Sequence, residues 1–223
     1  MGITLDMSSV VNPGIGASGG ENRVRYPPGH REKVRARILR EAGRLFRQRG
    51  YGGVGIDRIM AAARLTRGGF YGYFRSKAQL FAEVISGQHD LLARLHRRPG
   101  TSREELNRAA LEVLGAYLAP ENRAAVGRGC TLATVSADVA RAGGPARAAY
   151  GQVVRALSDE IERGLDDPTP LDPRALAALA LCVGGLVLSR AVDDPDLADR
   201  IEDSALRAVR SQLARSAGSG PGA

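Results

Sequence analysis

Tryptophan is absent, aromatic residues make up only 4 % of the chain, and two cysteines, Cys130 and Cys182, are its whole thiol content. Two cysteines give no disulfide framework, and so low a usage fits a reducing compartment. His89 and His96 stand seven apart without the carboxylates or spacing of a metal site, so no metal is expected. No apolar run is long enough to cross a bilayer, because the best candidate, Leu176 to Leu188, is broken by Gly184-Gly185. The first residues carry Asp6 and no basic segment ahead of an apolar stretch, which does not read as a signal peptide. These absences predict a cytoplasmic protein. HExxH and phosphate-loop runs are missing as well, so a small helical enzyme is the weaker reading and no cofactor is expected. No stretch alternates like a strand between hairpin turns, and the fold class expected is all-α.

Hydrophobic residues, at 43 % of 223, suffice for a packed core, and charged residues, at 25 %, match an ordinary globular protein. The net charge of +8 is unevenly placed: residues 1–98 hold 18 Lys/Arg against 7 Asp/Glu, and residues 99–223 hold 14 against 17. A basic first part on a mildly acidic body suggests a polyanion partner for the first part alone, though a solvated basic surface would look the same by charge.

Residues 1–28 are rich in Gly, Ser, Asn and Pro and predict a disordered tail. Gly14-Ile15-Gly16-Ala17-Ser18-Gly19 matches GxGxxG by chance, since no strand precedes it and no helix follows. From Arg31 to Arg49, Val34, Ile38, Ala42, Leu45 and Phe46 recur at helical spacing, and Gly50 with Gly52-Gly53 ends the run. A short helix is expected over Ile56–Ala63 and another over about Arg67–Tyr73. A longer one, capped by Ser76, should run to about Arg97 before Pro99-Gly100. Ser102-Arg103-Glu104-Glu105 is a capping box opening a helix to about Leu118. Residues 130–142 and 145–165 read as two more helices, and Asp172-Pro173 and Asp194-Pro195 open the last two, over about 173–192 and 195–215. Residues 216–223 read as a frayed end. The total is about nine helices.

The segment 53–77 carries the functional signal. Two short helices joined by a tight turn make a helix-turn-helix, whose mutual contact must be small and apolar. Ile59, Ala62 and Ala63 offer that face, Leu65 fills the turn, and Phe70 and Phe74 anchor the second helix inward. Outward, Thr66 is a natural N-cap, and Arg67, Gly68, Gly69 and Tyr71 occupy the first turn, where a reading helix meets bases. Two glycines in so short a helix cost about 1 kcal/mol each relative to Ala, and close approach to a DNA surface would explain them.

The run from Arg37 to Val84, above all Leu65-Thr66-Arg67-Gly68-Gly69-Phe70-Tyr71-Gly72-Tyr73-Phe74-Arg75-Ser76-Lys77, resembles the TetR-family DNA-binding domain. The resemblance implies a head over residues 29–91 and a ligand-sensing, dimerising body over residues 92–215. It implies a palindromic double-stranded operator, a homodimer and a repressor released by a small, lipophilic effector. Implied DNA contacts are the helix start at Ile56, Thr66, Arg67, Gly68, Gly69, Tyr71, Tyr73 and Lys77, with Arg31 and Arg35 adding loose ones; Tyr73 could instead be core. Arg64 departs from the family, which usually has Gly at this turn, at a position that often needs positive φ; Arg there would cost of order 1 kcal/mol. Gly55 stands where Ser or Thr is the common cap, a loss of only a few tenths of a kcal/mol.

For the body, His89, Leu92, His96, Leu114, Tyr117, Cys130, Val135, Tyr150 and Val154 are the candidate pocket residues. Few aromatics there predict an aliphatic lining. A thiol- or electrophile-responsive repressor acting through Cys130 is the alternative, and a buried structural cysteine the plainer reading. The paired helices of a dimer interface are expected to use Leu176, Leu179, Val183, Leu186, Val187, Ile201, Leu206 and Val209.

Overall fold

The computed structural model describes residues 29–87, 89–125 and 129–214, and the two expected tails fall outside these. Among the described residues there are ten α-helices, one 3-10 helix and no strand. The helix α1 spans His30–Arg49 and buries Val34, Ile38, Ala42, Leu45 and Phe46, the stripe read from the sequence. Gly50 closes it at φ 72°, where a Cβ would also press within 3.1 Å of the Asp138 carboxylate. After α2, Ile56–Ala62, the turn passes through Arg64 at φ 55°, the left-handed conformation that the departure from Gly predicts. The expected second short helix is a 3-10 helix, Arg67–Gly72, and not an α-helix. Its three glycines disfavour a longer, α-helical run, and 3-10 geometry suits such short pieces.

The long helix expected from Ser76 to Arg97 is two helices. Ser76 caps α3, Lys77–Ser86, its hydroxyl accepting from the Gln79 amide at 3.1 Å. The chain then breaks and restarts as α4, Asp90–Arg97, with His89 at its N-cap. The break has a packing cause: at Gly87 a Cβ would lie 3.2 Å from the Val84 carbonyl, and the His89 ring turns inward to bond the Ile85 carbonyl. His89 and His96 therefore do not share a helix face as the seven-residue spacing suggests. His89 is buried, whereas His96 is exposed and bonds Glu160 at 2.7 Å.

The body follows as α5 (Arg103–Tyr117, with the expected capping box), α6 (Pro120–Ala124), α7 (Thr131–Ala142), α8 (Gly144–Glu162), α9 (Pro173–Ala191) and α10 (Pro195–Ala214). The short α6 is not expected from the sequence, although Pro120 at its start is a favourable opening. Asp172 caps α9, accepting from the Arg174 amide at 2.9 Å, and Asp194 accepts from the amides of Asp196 and Leu197. The Gly184-Gly185 pair does not interrupt α9. The helix is continuous over 19 residues at a mean hydropathy of 1.6, long and apolar enough to cross a membrane by length and composition. It packs instead along α10: a Cβ on Gly185 would meet that of Ala205 at 2.9 Å.

Two apolar cores result. Ile38, Phe46, Ile59, Met60, Phe70, Phe74, Leu80, Phe81 and Ile85 fill the first, and Val135, Val139, Ala146 and Ala149 of α7 and α8 close it from the body side. Leu91, Leu95, Leu114, Leu157, Leu179, Leu186 and Val209 are among those filling the second. The change of core falls between Ile85 and Leu91, at the helix break. The head thus rests directly on α7 and α8.

Candidate nucleic-acid interface

Phe70 and Phe74 are wholly buried, with ring centroids 5.8 Å apart, and so fix which way the 3-10 helix faces. The residues between and before them are left outward: Thr66, Arg67, Gly68 and Gly69 are exposed, and Tyr71 keeps 65 % of its surface. A Cβ on Gly68 or Gly72 would meet nothing within 4 Å, and neither glycine has positive φ. Nothing inside the chain requires glycine at these positions. Arg67 donates to Asp57 at 3.1 Å, but both side chains are about two-thirds exposed, a pairing worth little in water and readily exchanged.

Three of the expected contacts are placed differently from the rest. Ile56 is half-buried against the head core, leaving its backbone rather than its side chain for an anion. Tyr73 is half-buried on that core, 6.0 Å beneath the Arg31 guanidinium. Lys77 turns inward: its ammonium donates to the Tyr51 carbonyl at 2.6 Å and lies 4.1 Å from that ring's centroid. Burial lowers the Lys77 pKa, and the Asp138 carboxylate opposes the shift. Arg31 donates to the Gly72 carbonyl at 2.7 Å, and Arg35 pairs with Glu83 and covers the Phe74 ring at 4.8 Å. Both arginines brace the head. Sequence reasoning passed over Arg58 and Arg75, which are exposed on the same segment as Arg67. Their charge was legible, but which side of α2 and of the α3 entry they face was not.

A cavity of about 180 Å³ opens where the head meets the body, lined among others by Arg47, His89, Arg94, Tyr117, Cys130 and Thr131. His89, Tyr117 and Cys130 are thus among its walls as expected. Leu92 and His96 line a separate surface groove, Leu114 is buried in the body core, Val135 lies in the head core, and Val154 packs on the body core. The half-buried Tyr150 donates from its hydroxyl to the Leu132 carbonyl at 3.3 Å. The lining is not the aliphatic one expected from the scarcity of aromatics, because the ends of α1, α4 and α7 bring polar groups to the junction.

The expected dimer residues also divide. Leu179, Leu186 and Val209 are buried within the chain itself, and Leu206 lies against α5 beside Gly115. Leu176, Val183 and Ile201 are half-buried. Val187 is 39 % exposed, and the sequence reading missed Leu188 and Leu197, exposed by 58 % and 44 %. With Ala180, Ala191 and Gly184, whose Cβ position is open, these make an apolar outward face.

Residues 38–84 match the family described as bacterial regulatory proteins, tetR family. These residues are the part of the chain that carries the TetR-family signature. The chain is 44 % identical over 48 residues to the transcriptional regulator AcuR of Cereibacter sphaeroides, covering 22 % of each chain. It is 27 % identical over 109 residues to the HTH-type transcriptional repressor DhaR of Mycobacterium sp. (strain GP1), covering 49 % of this chain and 54 % of that one. The chain therefore spans about half or less of the length of these relatives. The whole fold is similar to E. coli NemR in its reduced form (TM-score 0.67, 20 % identity, 83 % of this chain and 99 % of that one). It is also similar to a TetR transcriptional regulator from Chloroflexus aurantiacus (TM-score 0.63, 21 % identity, 82 % and 97 %).

Proposed function

We propose that the chain is a cytoplasmic, non-enzymatic transcriptional repressor that binds a near-palindromic operator as a homodimer and leaves it when a small effector binds the body. The observation carrying this reading is the outward face of the 3-10 helix: Thr66, Arg67 and Tyr71 stand exposed around Gly68, which nothing in the chain requires to be glycine. An external surface that approaches the backbone closely accounts for the glycine, and a bidentate guanidinium suits guanine O6/N7 or phosphate. Exposed Arg58, Arg64 and Arg75 supply the sequence-independent attraction to the duplex. The apolar outward face of α9 and α10 supports pairing of two copies, since so apolar a surface gains by leaving water.

The test is fluorescence anisotropy with labelled duplexes from the region upstream of the chain's own gene, across a salt series. Tight binding to one duplex that weakens steeply with salt is expected. A folded sample that binds none of them in dilute buffer overturns the reading.

A further inference from the structure

The lining of the cavity at the junction of head and body is of two kinds. Leu91, Leu132 and Leu157 are its apolar members. Its polar members include Arg47, Tyr117 and the start of α7, whose N-cap, Cys130, makes no side-chain capping bond. Tyr117 is only 3 % exposed, and its buried hydroxyl has no hydrogen-bond partner of normal geometry; the Cys130 thiol is its near neighbour. Burial pushes the Tyr117 pKa far up, so the hydroxyl stays protonated and able to donate. A buried unmatched hydroxyl is destabilising, and a ligand oxygen that accepts from it would remove that cost.

The charges around it favour an anion. Arg94 pairs with Asp90 at 3.9 Å, and Arg47 brings a second guanidinium to the lining. The Arg190 guanidinium, fastened to the carbonyls of Asn122 and Arg123, adds positive charge felt at Tyr117 and Cys130. The amides opening the 12-residue α7 add a partial positive charge. His89 is held neutral by burial, its ring bonded to the Ile85 carbonyl.

Size narrows the class. A cavity of about 150 Å³ holds benzene, and sites for drug-sized ligands begin near 300 Å³; this one measures about 180 Å³. We propose that the cavity binds a small monocarboxylic acid, with its carboxylate on Tyr117, Arg47 and the start of α7 and its short hydrocarbon part against Leu91, Leu132 and Leu157. The regulatory consequence rests on the function proposed above. Arg47 belongs to α1 of the head and donates to Thr131 of α7 at 3.4 Å, so a carboxylate seated here competes directly for a link between head and body. This class replaces the lipophilic effector expected from composition.

Calorimetric titration of the full chain with sodium benzoate and sodium butyrate, against benzyl alcohol and butan-1-ol, tests the class. Both carboxylates are expected to bind at least tenfold more tightly than the alcohol of the same carbon skeleton. Tyr117→Phe is the decisive variant because it removes only the unmatched hydroxyl: benzoate binding weakens tenfold or more, while the thermal midpoint without ligand stays level or rises. Alcohols that bind as well as the acids, acids that produce no binding, or benzoate affinity unchanged by Tyr117→Phe would each overturn the proposal. The titration contains no DNA, so its failure is separate from that of the regulatory reading. A chain that binds an operator but no carboxylate loses only this inference, and one that binds benzoate but no duplex loses only the other.

Discussion

The backbone amide of Tyr51 donates to the Asp138 carboxylate across 3.0 Å, tying the loop behind the head to α7 of the body. The same loop receives Lys77 through the Tyr51 carbonyl, so one residue joins α3, the α1–α2 loop and α7. A hydrogen bond to a charged acceptor contributes about 1.5–3 kcal/mol. Asp138→Ala should lower the urea-unfolding free energy by roughly that amount. The other Asp138 partner, Arg141, is largely exposed and adds little. A loss below a few tenths of a kcal/mol would mean the tie does not couple head to body.

Lys77 and Arg67 are expected to separate a bracing role from a reading role. Lys77→Met removes the donor at Tyr51 and should lower thermal stability by about 1 kcal/mol, with little change in the salt dependence of DNA binding. Arg67→Ala should leave stability unchanged, because its pair with Asp57 is exposed, and cost about 1–3 kcal/mol of operator affinity with relaxed base preference. Thermal melts beside anisotropy titrations read both quantities on the same samples.

Gly68 gives a prediction of opposite signs. Its Cβ position is open and its φ is not positive, so Gly68→Ala should stabilise the fold by up to about 1 kcal/mol through the unfolded chain. The same methyl group stands where the duplex is proposed to approach, and operator affinity should fall at least several-fold. A variant that binds DNA as tightly as the parent would remove the close-approach explanation for this glycine.

What the sequence disclosed and what it concealed have physical causes. The stripe of α1, the capping box at Ser102 and the Asp-Pro starts of α9 and α10 were legible because each is a local pattern with one structural solution. Arg64 at φ 55° was foreseeable for the same reason, as a side chain where glycine is usual. The inward turn of Lys77 was not, because Tyr51 is 26 residues away and only the folded head brings them together. The faces of α9 were not legible either: the helix is apolar around most of its circumference, so Leu179 and Leu186 looked as suitable for an interface as Leu188. Only packing against α10 and the body core reveals that the first two are already covered.

Asp172 makes the stability of the body depend on pH in the acid range. It is almost fully buried, and its bonds from Arg174, set against the cost of burial, hold its carboxyl at about 2 instead of 3.8. A depressed value means that stability is fully present above the ordinary value near 3.8 and is lost as pH falls towards about 2. The contribution is of order 2 kcal/mol. Asp172→Asn keeps a competent cap but loses the charge, so it should be destabilised by about 2 kcal/mol near neutral pH. That deficit should shrink steadily below about pH 4 in urea melts; a pH-independent deficit would point to packing in place of ionisation.

Leu188 is more than half exposed, and Val187 beside it is exposed as well. Such a residue contributes nothing to the protomer's own core, so Leu188→Asp should fold normally, with the helical circular dichroism of the parent. If two copies pair through α9 and α10, the parent sediments as a dimer and the variant as a monomer, because an unpaired carboxylate in an apolar interface costs several kcal/mol. Operator binding then falls much further than any loss at a head residue, since the second half-site is no longer held at high effective concentration. A dimer that persists in Leu188→Asp would place the interface elsewhere on the body, and a parent that is monomeric at micromolar concentration would leave the palindrome without a second reader.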